Sequence, residues 1–162
     1  MNRLTADEAR ALLAYDPATG ALVWRKAVSR NVKAGGKAGS MDPRGYGQIR
    51  LHRRQYMAHR LVWLLHYGEL PKGEIDHIDG NRANNRICNL REVDRSINTQ
   101  NLRRAKKNSR SGVLGVSRSG TRWQAHIQAN NQQFYLGTFS TPELAHAAYL
   151  TAKRALHPGC TI

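Results

Sequence analysis

The sequence predicts an α+β chain of two small units, and three observations carry that expectation. Residues 74–101 read as strand, loop, strand and helix, with acid, imidazole and amide side chains packed between short apolar segments. Residues 113–156 read as three short strands followed by one amphipathic helix. Between them, Ser109-Arg110-Ser111-Gly112 has the composition of a boundary and divides the chain into 1–108 and 109–162. With 162 residues, 40% of them apolar, each unit has material for a modest core.

Charge dominates the composition. Lys and Arg number 26 against 11 Asp and Glu, a formal net charge of +15, which points to nucleic acid as the partner. The bland alternative is a basic surface kept for solubility. No apolar run approaches the ~20 residues of a spanning helix, and no basic amphipathic helix carries a broad apolar face, so no membrane association is expected. The N-terminal MNRLTADEARALL has no apolar signal core, and the expectation is a cytoplasmic protein. Cys88 and Cys160 stand alone, without a CxxC pair, which argues against a zinc knuckle and against a disulfide framework.

In chain order, Thr5-Ala6-Asp7-Glu8 has the form of a capping box and opens a helix expected to reach about Tyr15, where Asp16-Pro17 breaks it. Ala21 to Lys26, with Leu22, Val23 and Trp24, is a strand candidate. Arg30 to Arg44 is rich in Gly, Lys and Arg and reads as a mobile basic loop. Tyr46 to Leu51 and Gln55 to Ala58 form a hairpin with a His52-Arg53-Arg54 tip. His59 to Tyr67 suits a buried helix ended by Gly68, on which His59 and His66 fall two turns apart and share a face. Such a pair is more often structural than ligating.

Beyond the central stretch, Arg103, Arg104, Lys106 and Lys107 follow without an acid and are expected to continue the same helix out along a phosphate backbone. A solvated linker is the alternative. In the second unit, Val113 to Arg118, Arg122 to Ala129 and Gln132 to Phe139 are the strands. Trp123, Ala125, Ile127 and Ala129 alternate with Arg122, Gln124, His126 and Gln128, so one face is apolar and the other can hydrogen-bond. Thr141 caps a helix through about Leu156, with Pro142 in its first turn and a packing stripe of Leu144, Ala145, Ala148, Tyr149 and Ala152.

The chemistry concentrates in the central stretch. Asp76 and Asn98 offer hard oxygen donors that suit Mg²⁺ or Mn²⁺ better than zinc. His77, with an ordinary pKa near ~6.5, is mostly neutral near pH 7 and fit to take a proton from water. Neighbouring residues on a regular strand point to opposite faces, so Asp76 and His77 serve one site only if the backbone bends at the DGN loop. Asn81, Asn84, Asn85 and Asn89 crowd that loop. Each has turn-making as its default reading, and one of them is a candidate to brace the loop so that the His77 ring is aimed.

Residues 59–101, from HRLVW through IDHIDGNRANNRICNLREV to SINTQN, resemble the HNH endonuclease family, specifically the homing-endonuclease branch with the ββα-metal fold. DHIDGN, NN, NL and a helix Asn fall in the family's order. The resemblance implies a nuclease core over about 59–107 with a β-rich N-terminal flank. It implies Asp76 as metal ligand, His77 as general base and Asn89 as the loop-bracing Asn. It also implies Asn98, twenty-two positions after Asp76, as the second metal ligand, with Asn101 as the fallback. A two-ligand Mg²⁺-type site is implied rather than a three-His zinc site. The flank from YDPATGALVWR to GYGQIRL also resembles the segment preceding this motif in phage- and intron-encoded members, which would place the protein in the host cytoplasm.

Residues 111–159 separately resemble the plant ethylene-response-factor (Apetala-type) DNA-binding domain, through GVLGVS, RWQAHI, YLGTF and TPELAHAAYLTAKRALHPG. That resemblance implies a three-stranded sheet laid in a major groove with a helix behind it. Several positions where plant members carry Arg or Trp are Leu114, Ser117, Ser119, Gln128 and Gln133 here, so no plant target sequence carries over. Arg118, Arg122, Gln124, His126 and Tyr135 are the candidate contacts.

The expected function is a metal-dependent endonuclease acting on double-stranded DNA, nicking as a monomer or cutting both strands as a homodimer or by sequential cuts. The alternatives are a DNA-binding regulator with an inactive nuclease-like core and an RNA-processing nuclease. Association is expected to be steeply salt-dependent. Neutralising six or so phosphates costs about a thousandfold in affinity between roughly 50 and 200 mM salt. A DNA-binding titration across that range checks it, and a flat response would remove phosphate contacts as the source of affinity.

Overall fold

The computed structural model describes residues 4–105 and 109–162. The chain divides into two compact units, Met1–Asp94 and Arg95–Ile162. The division falls ahead of the 108/109 boundary read from the Ser-Arg-Ser-Gly turn. Its reason is local, because the segment after Arg95 is tied to the chain's C-terminal end. The Gly159 N–H donates to Gln100 Oε1 at 3.0 Å, Lys153 Nζ donates to the Leu102 carbonyl, and Thr161 Oγ1 donates to Asn101 Oδ1.

In the first unit, helix α1 (Ala6–Leu12) begins at a complete capping box in which Thr5 accepts from the Glu8 N–H and Glu8 reaches back to the Thr5 N–H. The helix stops earlier than Tyr15. Leu13–Asp16 is instead strand β1, paired antiparallel with β2 (Ala21–Trp24) in the register Leu13↔Trp24 to Asp16↔Ala21. Asp16 both ends β1 and builds the turn, accepting from the Ala18 N–H and from Thr19 Oγ1, while the Gly20 N–H closes back on the Asp16 carbonyl at 2.8 Å. A turn so well satisfied recruits the residues before it into a hairpin, overriding the helical spacing of Leu12 and Leu13.

The basic segment expected to be a mobile loop contributes a strand. β3 (Ser40–Met41) pairs with β4 (Gly47–Leu51), which pairs with β5 (Arg54–Met57), and Lys37 bridges to Val23. His52 and Arg53, both at positive φ, make the two-residue tip of the β4–β5 hairpin. Helix α2 (Ala58–Tyr67) follows and ends on Gly68 at φ +83°. Leu13, Ile49, Leu51, Leu61, Val62 and Leu64 are almost completely buried, so α2 and the small sheets share one core. His59 lies on the buried side of α2 and His66 is exposed, so the two do not share a face toward the core. The hairpin of β6 (Glu74–His77) and β7 (Leu90–Val93) completes the unit, with a 3₁₀ turn at Ile87–Asn89 leading into β7.

In the second unit, α3 (Arg95–Gln100) is short, and the expected continuation through Arg103 and Arg104 does not form. Asn101 and Leu102 instead close tighter i−3 turns onto Asn98 and Thr99. Lys106 and Lys107 lie outside the described residues. β8 (Val116–Ser119), β9 (Arg122–Ala129) and β10 (Gln132–Phe139) form an antiparallel sheet with β9 in the middle, and α4 (Pro142–Leu156), capped by Thr141, packs on it. The buried stripe of α4 is Ala145, Tyr149 and Lys153 at i, i+4 and i+8, while Leu144, expected in the stripe, is 53% exposed. Ala125, Ile127 and Val116 oppose that stripe.

Gly115 shows how tightly the helix sits. It stands at φ +75°, and a Cβ there would lie 2.0 Å from Cδ2 of the buried Tyr149 ring. Gly120 also has positive φ, +59°, but opens onto empty space. Gly115→Ala is therefore expected to lower stability by about 3 kcal/mol, combining left-handed strain with overpacking, and Gly120→Ala by about 1 kcal/mol from strain alone. Thermal unfolding of the two full-length variants tests the difference, and equal losses would mean that Tyr149 does not press on Gly115.

Candidate active site

Asp76 and His77 are the last two residues of β6, and the register sets Asp76 opposite Arg91 and His77 opposite Leu90. Ile75, Asp76 and His77 are all buried, which a strand achieves only when both of its faces are covered. Asp76 and His77 are consecutive at the end of the strand, and the backbone turns directly after them. The Gly80 N–H donates to the His77 carbonyl at 2.8 Å, with Gly80 at φ +70°.

His77 is 4% exposed, with Asn85, His59 and Tyr46 against its ring. Its Nε2 lies 3.1 Å from Asn85 Oδ1. The His59 ring meets it edge-on at 5.3 Å and 88°, and the Tyr46 ring leans on it at 6.0 Å. Burial holds its pKa below the ordinary histidine value, although the Asn85 hydrogen bond and the charges of Asp79 and Asp76 pull the other way. The ring is therefore neutral at pH 7. An amide oxygen only accepts, so the imidazole donates from Nε2 and carries its lone pair on Nδ1.

Asn85 is itself 8% exposed and is fixed by the N-terminal hairpin. Its carbonyl accepts from the Tyr15 hydroxyl at 3.2 Å, and the same hydroxyl accepts from the Ile87 N–H at 2.9 Å. Arg86 Nε donates to the Ala18 carbonyl at 2.6 Å. Gly20 lies against this backbone so closely that a Cβ would sit 2.6 Å from the Arg86 nitrogen and 2.7 Å from the Asn85 carbonyl carbon. The turn between β1 and β2 thus backs the residue that touches the imidazole.

The rest of the loop is held by Asn89 and Asp79. Asn89 Oδ1 accepts from the Asp79 N–H at 3.0 Å, while its Nδ2 donates to Asp79 Oδ1 at 3.0 Å and to the Asn84 carbonyl at 2.9 Å. Asp79 also accepts from Asn84 Nδ2 and from the Asn81 N–H, both at 2.7 Å. Burial alone would push the Asp79 carboxyl up, but these hydrogen bonds outweigh it and hold the pKa below the usual carboxylate range. Asn89 touches the loop, and Asn85 touches the imidazole.

Asp76, 6% exposed, is ion-paired across the hairpin. Arg91 donates to its Oδ2 from Nε at 2.9 Å and from Nη2 at 2.8 Å. As a donor a buried carboxylate is a hard anionic oxygen, which fits Mg²⁺ or Mn²⁺, and Arg91 is already its counter-charge. Among the described residues no three His, Cys, Asp or Glu side chains gather into a metal-holding group. Asn98 lies on α3, and Asn101 just beyond it is buried at 5% exposure with Oδ1 accepting from Thr161; both belong to the second unit.

The residues expected to meet DNA fall in several places. Arg103 is exposed and donates to the Thr161 carbonyl and hydroxyl at 3.1 and 2.9 Å; Arg104 is exposed. Arg122, Gln124, His126 and Tyr135 share the sheet face opposite α4, with Tyr135 paired to His126 and 58% exposed. Arg118 pairs with Trp123 and therefore belongs to the other face, with its guanidinium carbon 5.9 Å from the Trp123 ring centre.

Sequence reasoning did not single out Tyr46, Arg82 or Arg91, and it left Asn85 among four equivalent loop amides. The one available signal was His59, whose apolar neighbours Leu61 and Val62 place it on a buried face. It is 8% exposed, its Nδ1 has no hydrogen-bond partner among the described residues, and burial, followed by the His77 and Arg60 charges, lowers its pKa to about 4. Above pH ~6.5 it is neutral in both folded and unfolded chains. Below that, the unfolded chain takes up a proton that the folded chain refuses until about pH 4, so stability falls through this window. The loss from this group is expected to be about 2 kcal/mol between pH 7 and pH 5. His59→Phe is expected to shrink the shift of the urea midpoint over that range, and a variant that loses as much as wild type would place the titrating group elsewhere.

Residues 56–100, which contain α2 and the β6–β7 hairpin, match the HNH endonuclease family model. The chain is 36% identical to Protein 3.8 of Escherichia phage T7 over 102 residues, 61% of this chain and 83% of that one. It is 38% identical over 76 residues to YosQ of the Bacillus subtilis (strain 168) SPbeta prophage, whose name marks it as a candidate HNH homing endonuclease; the match spans 46% of this chain and 43% of that one. No solved structure matches. A buried neutral imidazole beside a carboxylate, set on a strand, loop and strand inside the matched region, is the setting in which these likenesses meet. The chain belongs to the same family as Protein 3.8 of phage T7 and carries an HNH endonuclease domain over residues 56–100.

Proposed function

We propose that the protein is a metal-dependent endonuclease that hydrolyses phosphodiester bonds in double-stranded DNA, with His77 as general base. The observation that carries this reading is the contact of His77 Nε2 with Asn85 Oδ1 at 3.1 Å within the HNH domain. It assigns the ring proton to Nε2 and the lone pair to Nδ1. That nitrogen takes a proton from water as the water attacks phosphorus and the bond to the 3′ oxygen breaks. Burial keeps the imidazole in the unprotonated form that this step needs at neutral pH.

Asp76 and Asn98 are the proposed ligands of Mg²⁺ or Mn²⁺, with Asn101 as the alternative second ligand. When bound, the cation supplies positive charge opposite the pentacovalent phosphorus and the leaving 3′ oxygen. Asn89 keeps the loop closed over Asp79, and Asn85 sets the tautomer and angle of the imidazole. Both are positioning residues.

The net charge of +15 supports docking on DNA through the phosphates. Arg103, Arg104, Lys106 and Lys107, and the sheet-face residues Arg122, Gln124, His126 and Tyr135 together with Arg118, are the proposed contacts. One site per chain cuts one strand, so a monomer nicks and a dimer is required for a concerted double-strand cut.

Supercoiled plasmid with Mg²⁺ is expected to yield nicked or linear product, and none with EDTA. His77→Ala is expected to lose about two to four orders of magnitude in cleavage rate, and Asn85→Leu about one to two through loss of imidazole aim. Wild-type cutting by His77→Ala would remove it as the base. Binding without cutting on varied DNA would support a regulator in place of a nuclease.

A further inference from the structure

The Tyr46 ring stands between His77 and a second group that the mechanism above does not use. On one side it contacts the His77 imidazole at 6.0 Å between ring centres. On another, the Arg82 guanidinium carbon sits 4.7 Å from the ring centre, within cation–π range. Arg82 Nη1 also donates to the Arg44 carbonyl at 2.9 Å. Arg82 sits on the loop that carries Asp79 and Asn85, and its guanidinium is held at two points on the segment before β4, no further from the imidazole than those two ring distances added together.

Among the described residues Arg82 meets no carboxylate, only a π face and a carbonyl oxygen. The neighbouring Arg44 differs, since Asp42 accepts from it at 2.9 and 3.0 Å. Arg82 is also exposed, so an anion can reach it. One N–H is used on Arg44, and a planar guanidinium has five. The remaining donors form the fork that fits two oxygens of one phosphate.

We infer that Arg82, seated on Tyr46, is a further catalytic residue that binds the non-bridging oxygens of the phosphate attacked at His77. The inference rests on the nuclease reading above. A guanidinium fixed before substrate arrives needs little reorganisation as negative charge builds on those oxygens, so its effect falls on the chemical step more than on affinity. Tyr46 is the positioning residue, because its ring supplies the seat.

The test is single-turnover nicking of supercoiled plasmid by the full chain with Mg²⁺ at saturating protein, alongside DNA affinity measured in Ca²⁺. Arg82→Ala is expected to slow cleavage roughly 100-fold or more, as loss of one preorganised donor does, with affinity within about 3-fold of wild type. Arg82→Lys keeps the charge but loses the fork, and is expected to recover less than about a tenth of the lost rate. Tyr46→Leu is expected to slow cleavage with affinity unchanged, and Tyr46→Phe to recover most of that loss.

Cleavage by Arg82→Ala within about 2-fold of wild type would overturn the inference. So would an affinity loss that accounts for the whole effect, since Arg82 would then be a docking contact only. His77→Ala run beside it separates the two readings. If that variant is inactive while Arg82→Ala cuts normally, only the Arg82 assignment falls. If His77→Ala cuts normally, or wild type does not cut, the nuclease reading fails and takes this inference with it.

Discussion

The hydrogen bond between His77 Nε2 and Asn85 Oδ1 is framed by elements from across the first unit. A histidine left alone on a surface strand would titrate near pH ~6.5 and rotate freely. Here α2 brings His59 against one side of the ring, the residue before β4 brings Tyr46 against another, and the loop between β6 and β7 brings the amide. The amide in turn is set by a hairpin about seventy residues earlier in the chain, through Tyr15 and the glycine that lets the turn approach. Without the N-terminal hairpin the amide would lose the backing that sets the angle of the imidazole. The flank belongs to the site as much as the motif does.

That dependence explains how much was legible in the sequence. Alternation exposed β9, and Thr141-Pro142 exposed the start of α4, because those signals are local. The apolar run of α2 and its Gly68 stop were local too. The end of α1 was not, because Leu13 to Asp16 suit either a helix or a strand until the Asp16–Gly20 turn supplies a partner. The early stop of α3 was hidden for the same reason. Asn101 bonds to Thr161, sixty residues later, and nothing near Asn101 in sequence reports that. Leu144 was assigned to the packing stripe on spacing alone, but one position of rotation on a helix is enough to turn Ala145 inward and Leu144 out.

Within the site, residue types were legible and partners were not. DHIDGN, the Asn84-Asn85 pair and Asn89-Leu90 marked where chemistry concentrates. Four amides in one loop look alike in sequence, however, and their division of labour arises from shape. Asn84 and Asn89 close on Asp79, whereas Asn85, pinned from behind by Gly20, reaches inward. Tyr46 and Arg82 are separated by thirty-odd positions and carry no motif of their own. Only the packing of the β4 edge against the loop brings them together.

Asp76 shows what such a site demands electrostatically. A carboxylate at 6% exposure without a partner costs several kcal/mol in desolvation. Its cross-strand neighbour Arg91 supplies the counter-charge through two donors on one oxygen, so the hairpin register itself balances the acid. A divalent cation at this carboxylate, as proposed, would meet a local field that Arg91 has already made less negative. In the proposed reading, substrate phosphate would add negative charge to that balance and would draw a cation and a guanidinium alike. In that reading Arg91 and Arg82 have opposite duties. One neutralises a buried acid within the fold, and the other, exposed and without a carboxylate among the described residues, has its charge left over for an anion that the fold does not contain.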